Sequence, residues 1–257
     1  MDLSNQTSEI FIQTMKTIIR KKGLSGLRST VSDLLEKVIR NASKNGRRYI
    51  EATGYTTFLY GERQMNSILA PAFHKYTDAM ILEYPATRKI GTKNHPASRA
   101  DYYCLCNKSK SNSYRLFVEL KSSWQRIPLT CKGFNARNKG LYSYACRQIR
   151  GLVNEFKGAN RNFYETYPIM RVSMLTIALT SNPSRKHDLS REDIEELIRC
   201  AWNEFQYKGE MTPDLIGFWK TDKDLVINQE WENEDNDIQG IIYICHIMEP
   251  YRVKKLG

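Results

Sequence analysis

The strongest constraint in the chain is the segment Val172 to Leu179. It reads Val-Ser-Met-Leu-Thr-Ile-Ala-Leu, almost unbroken in apolar residues, with turn-forming residues on either side. A strand with this pattern buries both of its faces, so layers must cover it above and below. Helical patterns stand on either side of it in the chain. Tyr142 to Phe156 places Ala145, Ile149, Leu152, Val153 and Phe156 along one side. Ser190-Arg191-Glu192-Asp193 resembles a capping box, and the helix it opens carries Ile194, Leu197, Ile198, Ala201, Trp202 and Phe205. The pattern predicts an α/β fold, with a mixed central sheet flanked by helices.

The remaining elements follow from local periodicity. Ile10, Phe11, Met15, Ile18 and Ile19 have helical spacing, as do Leu27, Val31, Leu34, Leu35 and Val38. Residues 1–50 are therefore expected to form an N-terminal helical extension, and 51–257 the main domain, packed as one unit. Residues 44–61 read as a loop with a short extended piece. A helix is expected from Glu62 to about Met80, kinked or divided at Pro71. Ile81 to Tyr84 looks extended, and Arg88 to Arg99 reads as a polar loop. Asp101 to Cys106 and Tyr114 to Ser122 form a hairpin across the polar turn 107–113. Leu215 to Trp219 and Ile238 to Met248 are late strands, separated by an acidic loop from Asn228 to Asp237.

Composition narrows the function classes. No stretch among the 257 residues approaches the roughly 20 apolar residues of a membrane span. The start, Met1-Asp2-Leu3-Ser4-Asn5-Gln6, lacks the order of a secretory signal. The six cysteines do not form the framework of a small secreted domain. A cytoplasmic setting without membrane attachment is expected. The spacings of a structural zinc site, of a phosphate-binding glycine loop and of a serine nucleophile elbow are all missing. The net charge is +11, and it is uneven. Residues 201–257 hold 11 acids and 6 bases, against 33 bases and 17 acids in the first 200. A polyanion, most commonly nucleic acid, would meet the first three quarters of the chain.

The segment that carries chemistry is Ser98-Arg99-Ala100-Asp101, followed after seventeen residues by Glu119-Leu120-Lys121. Along a strand, side chains two apart share a face. Leu116, Val118 and Leu120 then face one way, and Phe117, Glu119 and Lys121 the other. A carboxylate and an ammonium closing an apolar strand are unfavourable unless they are paired or hold an ion. The hairpin would set Asp101 beside Glu119. Two carboxylates and the Leu120 carbonyl make an oxygen-rich site of the kind hard divalent cations prefer. The alternative is a simple strand salt bridge, of Lys121 with Glu119 or with Asp101. A second acid-x-Lys triplet, Glu155-Phe156-Lys157, lies in a helical pattern, where residues two apart diverge.

With these residues the chain resembles the PD-(D/E)xK nuclease superfamily, over roughly residues 60–180. Ala100 stands where the family name has proline. The resemblance implies a restriction-endonuclease-like fold and a Mg²⁺- or Mn²⁺-dependent phosphodiesterase. Asp101 matches the first acid, Glu119 the second and Lys121 the lysine. Glu62 is the candidate for an additional helical acid, and Gln148 for a supporting glutamine. Asp101, Glu119, Leu120 and Glu62 would hold the metal; Asp101, Glu119, Lys121 and Gln148 would serve the reaction. The residue four beyond Gln148 is Leu152, where the helicase–nuclease branch has tyrosine. Lys132, Arg137, Lys139, Arg147 and Arg150, among Trp124, Phe134, Tyr142 and Tyr144, suit a phosphate backbone and stacked bases. A DNA endonuclease of restriction or phage defence is the leading expectation. An RNase on the same scaffold and a catalytically silent nucleic-acid-binding or assembly subunit are the alternatives. A second copy of the chain, or a regulatory protein, is a further partner.

Overall fold

The computed structural model describes residues 11–13, 16–90, 93–107, 111–127, 133–152, 167–181, 189–221, 230–231, 234–235 and 237–251. Ten strands and four helices are found among them. In chain order they are β1 (Phe11–Gln13), β2 (Lys16–Arg20), α1 (Gly26–Thr53), α2 (Glu62–His74), β3 (Ala79–Ile90), β4 (Lys93–Cys106), β5 (Tyr114–Arg126), α3 (Ala136–Arg150), β6 (Ile169–Ser181), α4 (Arg191–Glu204), β7 (Leu215–Lys220), β8 (Glu230–Trp231), β9 (Glu234–Asp235) and β10 (Asp237–Ile247). Eight strands form one mixed sheet in the order β1-β2-β7-β10-β6-β5-β4-β3, and β8 and β9 pair separately. Only β5 and β6 run parallel, and α3 is part of the crossover between them. The other pairs in the large sheet are antiparallel.

Two helical layers cover this sheet. Helix α1 repeats Val31, Leu34, Leu35, Val38, Ile39 and Ala42 on its buried side. With Met65, Leu69 and Phe73 of α2 it packs on Leu116, Val118 and Leu120 of β5 and on Val172 and Met174 of β6. On the opposite face Tyr142 and Cys146 of α3 and Leu197, Ile198 and Ala201 of α4 meet Leu175, Ile177 and Leu179 of β6. Strand β6 is buried along its whole length, which the apolar run from Val172 required. The α4 capping box forms, with the Ser190 hydroxyl accepting from the Asp193 amide at 3.1 Å and the Asp193 carboxylate accepting from the Ser190 amide at 2.9 Å. A partly buried ion pair secures the start of α1. Asp214 accepts from Arg28 at 2.8 Å and from the Ile247 amide at 2.8 Å, with His246 Nδ1 2.9 Å away.

Four local expectations are corrected. Residues 16–20, read as helical, form β2, which pairs antiparallel with β7 from Lys16↔Trp219 to Arg20↔Leu215. Thr17, Ile18 and Ile19 are β-branched neighbours, which favour a pleated strand. Ile18 enters the core under α1, and Ile19 the core on the other face. The described part of the N-terminal stretch is thus two strands followed by one helix. Second, α1 continues through 44–53 to Gly54, whose left-handed backbone (φ 71°) lets its amide reach the Ile50 carbonyl. Gly46 lies within the helix, and the Phe58 ring packs in the space that a Cβ there would take. Third, α2 stops at His74, three residues after Pro71, and Met80 already belongs to β3. Fourth, the polar stretch from Arg88 to Arg99 forms the end of a long hairpin, with β3 and β4 paired as far as Ile90↔Lys93.

Candidate functional site

The β4–β5 hairpin pairs Tyr102 with Val118 and Tyr103 with Phe117. Leu116, Val118 and Leu120 lie in the core beneath α1 and α2, while Phe117 lies in the core beneath α3. Glu119 and Lys121 project on the α3 side. Strand β5 is an interior strand between β4 and β6, so this pair is deeply set, with Glu119 2% and Lys121 6% exposed. Asp101, on β4, accepts a hydrogen bond from the Leu120 amide at 2.6 Å.

The Lys121 ammonium gathers these elements. It donates to Glu119 Oε1 at 3.0 Å, to the Leu120 carbonyl at 2.8 Å and to Glu62 Oε2 at 3.1 Å. Glu62 sits in the first turn of α2, where a carboxylate is favoured by the helix dipole. Gly61 before it has φ 117°, a conformation that glycine tolerates. An added Cβ there would lie 4.0 Å from the Ser122 hydroxyl, so the α2 N-terminus abuts β5 at the site. On the α3 side the Tyr144 ring centroid lies 5.7 Å from Lys121 Nζ and 4.9 Å from the Arg147 guanidinium.

Gln148 also reaches the centre. With its amide oriented to satisfy both neighbours, it donates to Glu119 Oε1 at 2.7 Å and accepts from Arg88. Arg88 is the residue the sequence reading passed over, because it fell in a supposed loop. It lies on β3, buried, and donates to Glu119 Oε2 and to the Arg99 carbonyl. The one available signal was the alternation Tyr84, Ala86, Arg88, which continues the strand pattern begun at Ile81. On β3, opposite the first acid, Glu83 adopts φ 51° between the pairs Leu82↔Tyr102 and Tyr84↔Ala100, and the register shifts further on, between Ala86 and Arg88. A non-glycine residue in that region is strained, and such strain clusters near functional sites.

Electrostatics matches this crowding. Burial, and then the neighbouring Glu119 charge, push the Asp101 carboxyl up to about 7. Burial also raises Glu119, against the pull of Lys121 and Arg88. Burial works against the charge on Lys121, but Glu119, Asp101 and Glu62 outweigh it and raise its pKa. Lys121 is therefore an ammonium at neutral pH. Among the described residues, no group of three or more histidine, cysteine, aspartate or glutamate side chains is gathered tightly enough to form a ready cation cage.

The basic residues behave differently. Arg137 and Arg147 are exposed on α3. Lys139 pairs with Glu204 at 3.2 Å, and Arg150 lies 3.9 Å from Glu210. Lys132, Cys131 and the triplet 155–157 lie outside the described residues. Of the four aromatics interleaved with these bases, Phe134 and Tyr142 are buried, and Trp124 and Tyr144 are exposed. Cys104, Cys106, Cys146 and Cys245 are buried free thiols, consistent with small apolar packing groups. Among the described residues no helix is long and apolar enough to cross a membrane.

No protein-family model, curated protein or solved structure matches the chain. The functional reading therefore rests on the residues themselves.

Proposed function

We propose that the chain is a metal-dependent nuclease of the PD-(D/E)xK type that hydrolyses phosphodiester bonds in DNA. One observation carries this reading. Two neighbouring strands and the first turn of a helix bring three carboxylates, Asp101, Glu119 and Glu62, around the Lys121 ammonium. A salt bridge alone would need one carboxylate. Burial and the Glu119 charge raise Asp101 to about 7, so near neutral pH it holds a proton that a cation could displace.

The donor set fits a hard divalent cation by its chemistry, with carboxylate oxygens and the Leu120 carbonyl as ligands of the preferred type. Asp101, Glu119, Glu62 and Leu120 are the residues that would hold Mg²⁺ or Mn²⁺. When bound, such an ion supplies an acidified water and polarises a phosphoryl oxygen. Lys121, held protonated by its three acidic neighbours, is suited to donate to the developing charge on phosphorus, or to orient the water, rather than to remove a proton. Gln148 orients Glu119. Arg137 and Arg147 on exposed α3 are the nearest candidates for phosphate contacts.

The test is direct. Supercoiled plasmid and structured RNA are incubated with the protein in Mg²⁺, Mn²⁺ or chelator, beside Asp101→Ala and Lys121→Ala. Metal-dependent nicking of DNA that both substitutions abolish is the expected result. Cleavage of RNA alone would reassign the substrate. Salt-sensitive binding without any cleavage would make the chain a silent binding subunit.

A further inference from the structure

Strand β4 leaves its neighbour early. Its pairing with β5 runs from Cys106↔Tyr114 back to Tyr102↔Val118, whereas its pairing with β3 continues to Ile90↔Lys93. Beyond Tyr102 the hairpin is a two-stranded ribbon, with β3 as the outermost strand of the sheet. Two irregularities stand at its root, the left-handed Glu83 opposite Asp101 and the register shift between Ala86 and Arg88. Irregularities of this kind bend a strand pair and re-aim it. The inner side of the ribbon is anchored. Ala86 and Ala100 are buried in the cluster that holds Ile149 and Leu152, and Arg88 reaches Glu119 and Gln148. The ribbon thus starts at the candidate site and is held in one direction.

Its charge is one-sided. Residues 84–100 contain Arg88, Lys89, Lys93, His95 and Arg99 and no aspartate or glutamate, in a chain where 28 of 257 residues are acids. Arg88 is engaged with Glu119, but Arg99 is 65% exposed and only loosely paired, 3.9 Å from Glu83. Lys93 is exposed at the far end, in the last pair of the ribbon. From Tyr84 to Ile90 the ribbon is about 20 Å long. The major groove of B-DNA, about 12 Å wide, admits a two-stranded ribbon, and its phosphate walls attract cations carried along one. A single strand offers no such groove.

We propose, resting on the proposed action on DNA, that the β3–β4 ribbon is an arm that enters the major groove of duplex DNA, with Lys93 and Arg99 facing the phosphates. The arm selects a duplex and brings its backbone to the site at the ribbon's root.

The test is fluorescence anisotropy of the full chain on a labelled duplex of about two helical turns and on its separate strand. Chelator prevents cutting, and salt is varied. The double variant Lys93→Ala/Arg99→Ala is compared with wild type and with Arg191→Ala/Arg199→Ala, which removes the same charge from the exposed side of α4. Circular dichroism verifies that each is folded. Wild type is expected to hold the duplex about tenfold tighter than the strand, and to be displaced by methyl green, a major-groove ligand, but not by netropsin, a minor-groove ligand. The arm variant loses about tenfold in duplex affinity, and its slope of log affinity against log salt falls by about 1.8. The α4 variant keeps both. Tighter binding of the single strand by wild type, displacement by netropsin alone, or a folded arm variant with wild-type affinity and slope overturns the inference. Plasmid nicking in Mg²⁺ is scored separately. Nicking by wild type beside an unaltered arm variant defeats the arm and spares the nuclease reading. Duplex binding through the arm without nicking defeats the nuclease reading and spares the arm.

Discussion

Lys121 Nζ lies 3.1 Å from Glu62 Oε2, a contact that joins the interior strand β5 to the first turn of α2 across 59 positions of sequence. Glu62 is half-exposed, so the pair adds little stability, about 1 kcal/mol or less. Its value is in what it gathers. Glu62→Gln is expected to leave the melting temperature nearly unchanged and to weaken Mn²⁺ binding about tenfold. Titration calorimetry beside a thermal melt would measure both. An unchanged affinity would remove Glu62 from the proposed metal site.

Asp101 gives a pH dependence whose sign is fixed. Its folded-state pKa, about 7, lies above the ordinary 3.8. Across that interval the folded protein retains a proton that the unfolded chain has released, so Asp101 makes stability fall as pH rises toward 7. A cation at the proposed site would compete with that proton. Mn²⁺ affinity should therefore increase from pH 5.5 to 8, with close to one proton released per ion bound near pH 6. Calorimetry in buffers of different ionisation enthalpy measures the proton count, and Asp101→Asn should abolish the release.

Asp214 gives the opposite sign, away from the site. Burial opposes its charge, but His246, the Ile247 amide and Arg28 outweigh burial and hold its pKa below 3.8. The stability it contributes is present above about pH 4 and is lost as pH falls through its lowered folded value. Asp214→Asn leaves Arg28 paired with Glu249 but removes the buried carboxylate that Arg28, His246 and the Ile247 amide share, and is expected to cost about 1–3 kcal/mol by urea unfolding. The difference from wild type should shrink in acid.

Tyr144 lies between Lys121 and Arg147. Replacing it with leucine keeps an apolar surface and removes a cation–π contact worth about 0.5–1 kcal/mol at an exposed site. Tyr144→Leu should weaken DNA binding about threefold in fluorescence anisotropy without lowering the melting temperature by more than a degree or two. An effect on stability alone would make the ring a packing residue.

The sequence by itself determined the central strand β6, the β4–β5 hairpin, the α4 cap and the shared face of Glu119 and Lys121. Each is set by periodicity or by chemistry between residues a few positions apart. Asp101 followed, because a hairpin closing across the polar turn 107–113 brings it beside Glu119. Only the tertiary structure decided the rest. Spacing alone made Ile18 and Ile19 look helical, and pairing with β7, some 200 residues away, made them a strand. Arg88 looked like a loop cation until β3 and β4 extended beneath it, and Gln148, a candidate through the family resemblance, meets Glu119 only because α3 docks over it. Contacts that close across the sheet depend on strand register and helix docking, and neither leaves a mark in the local pattern of a chain.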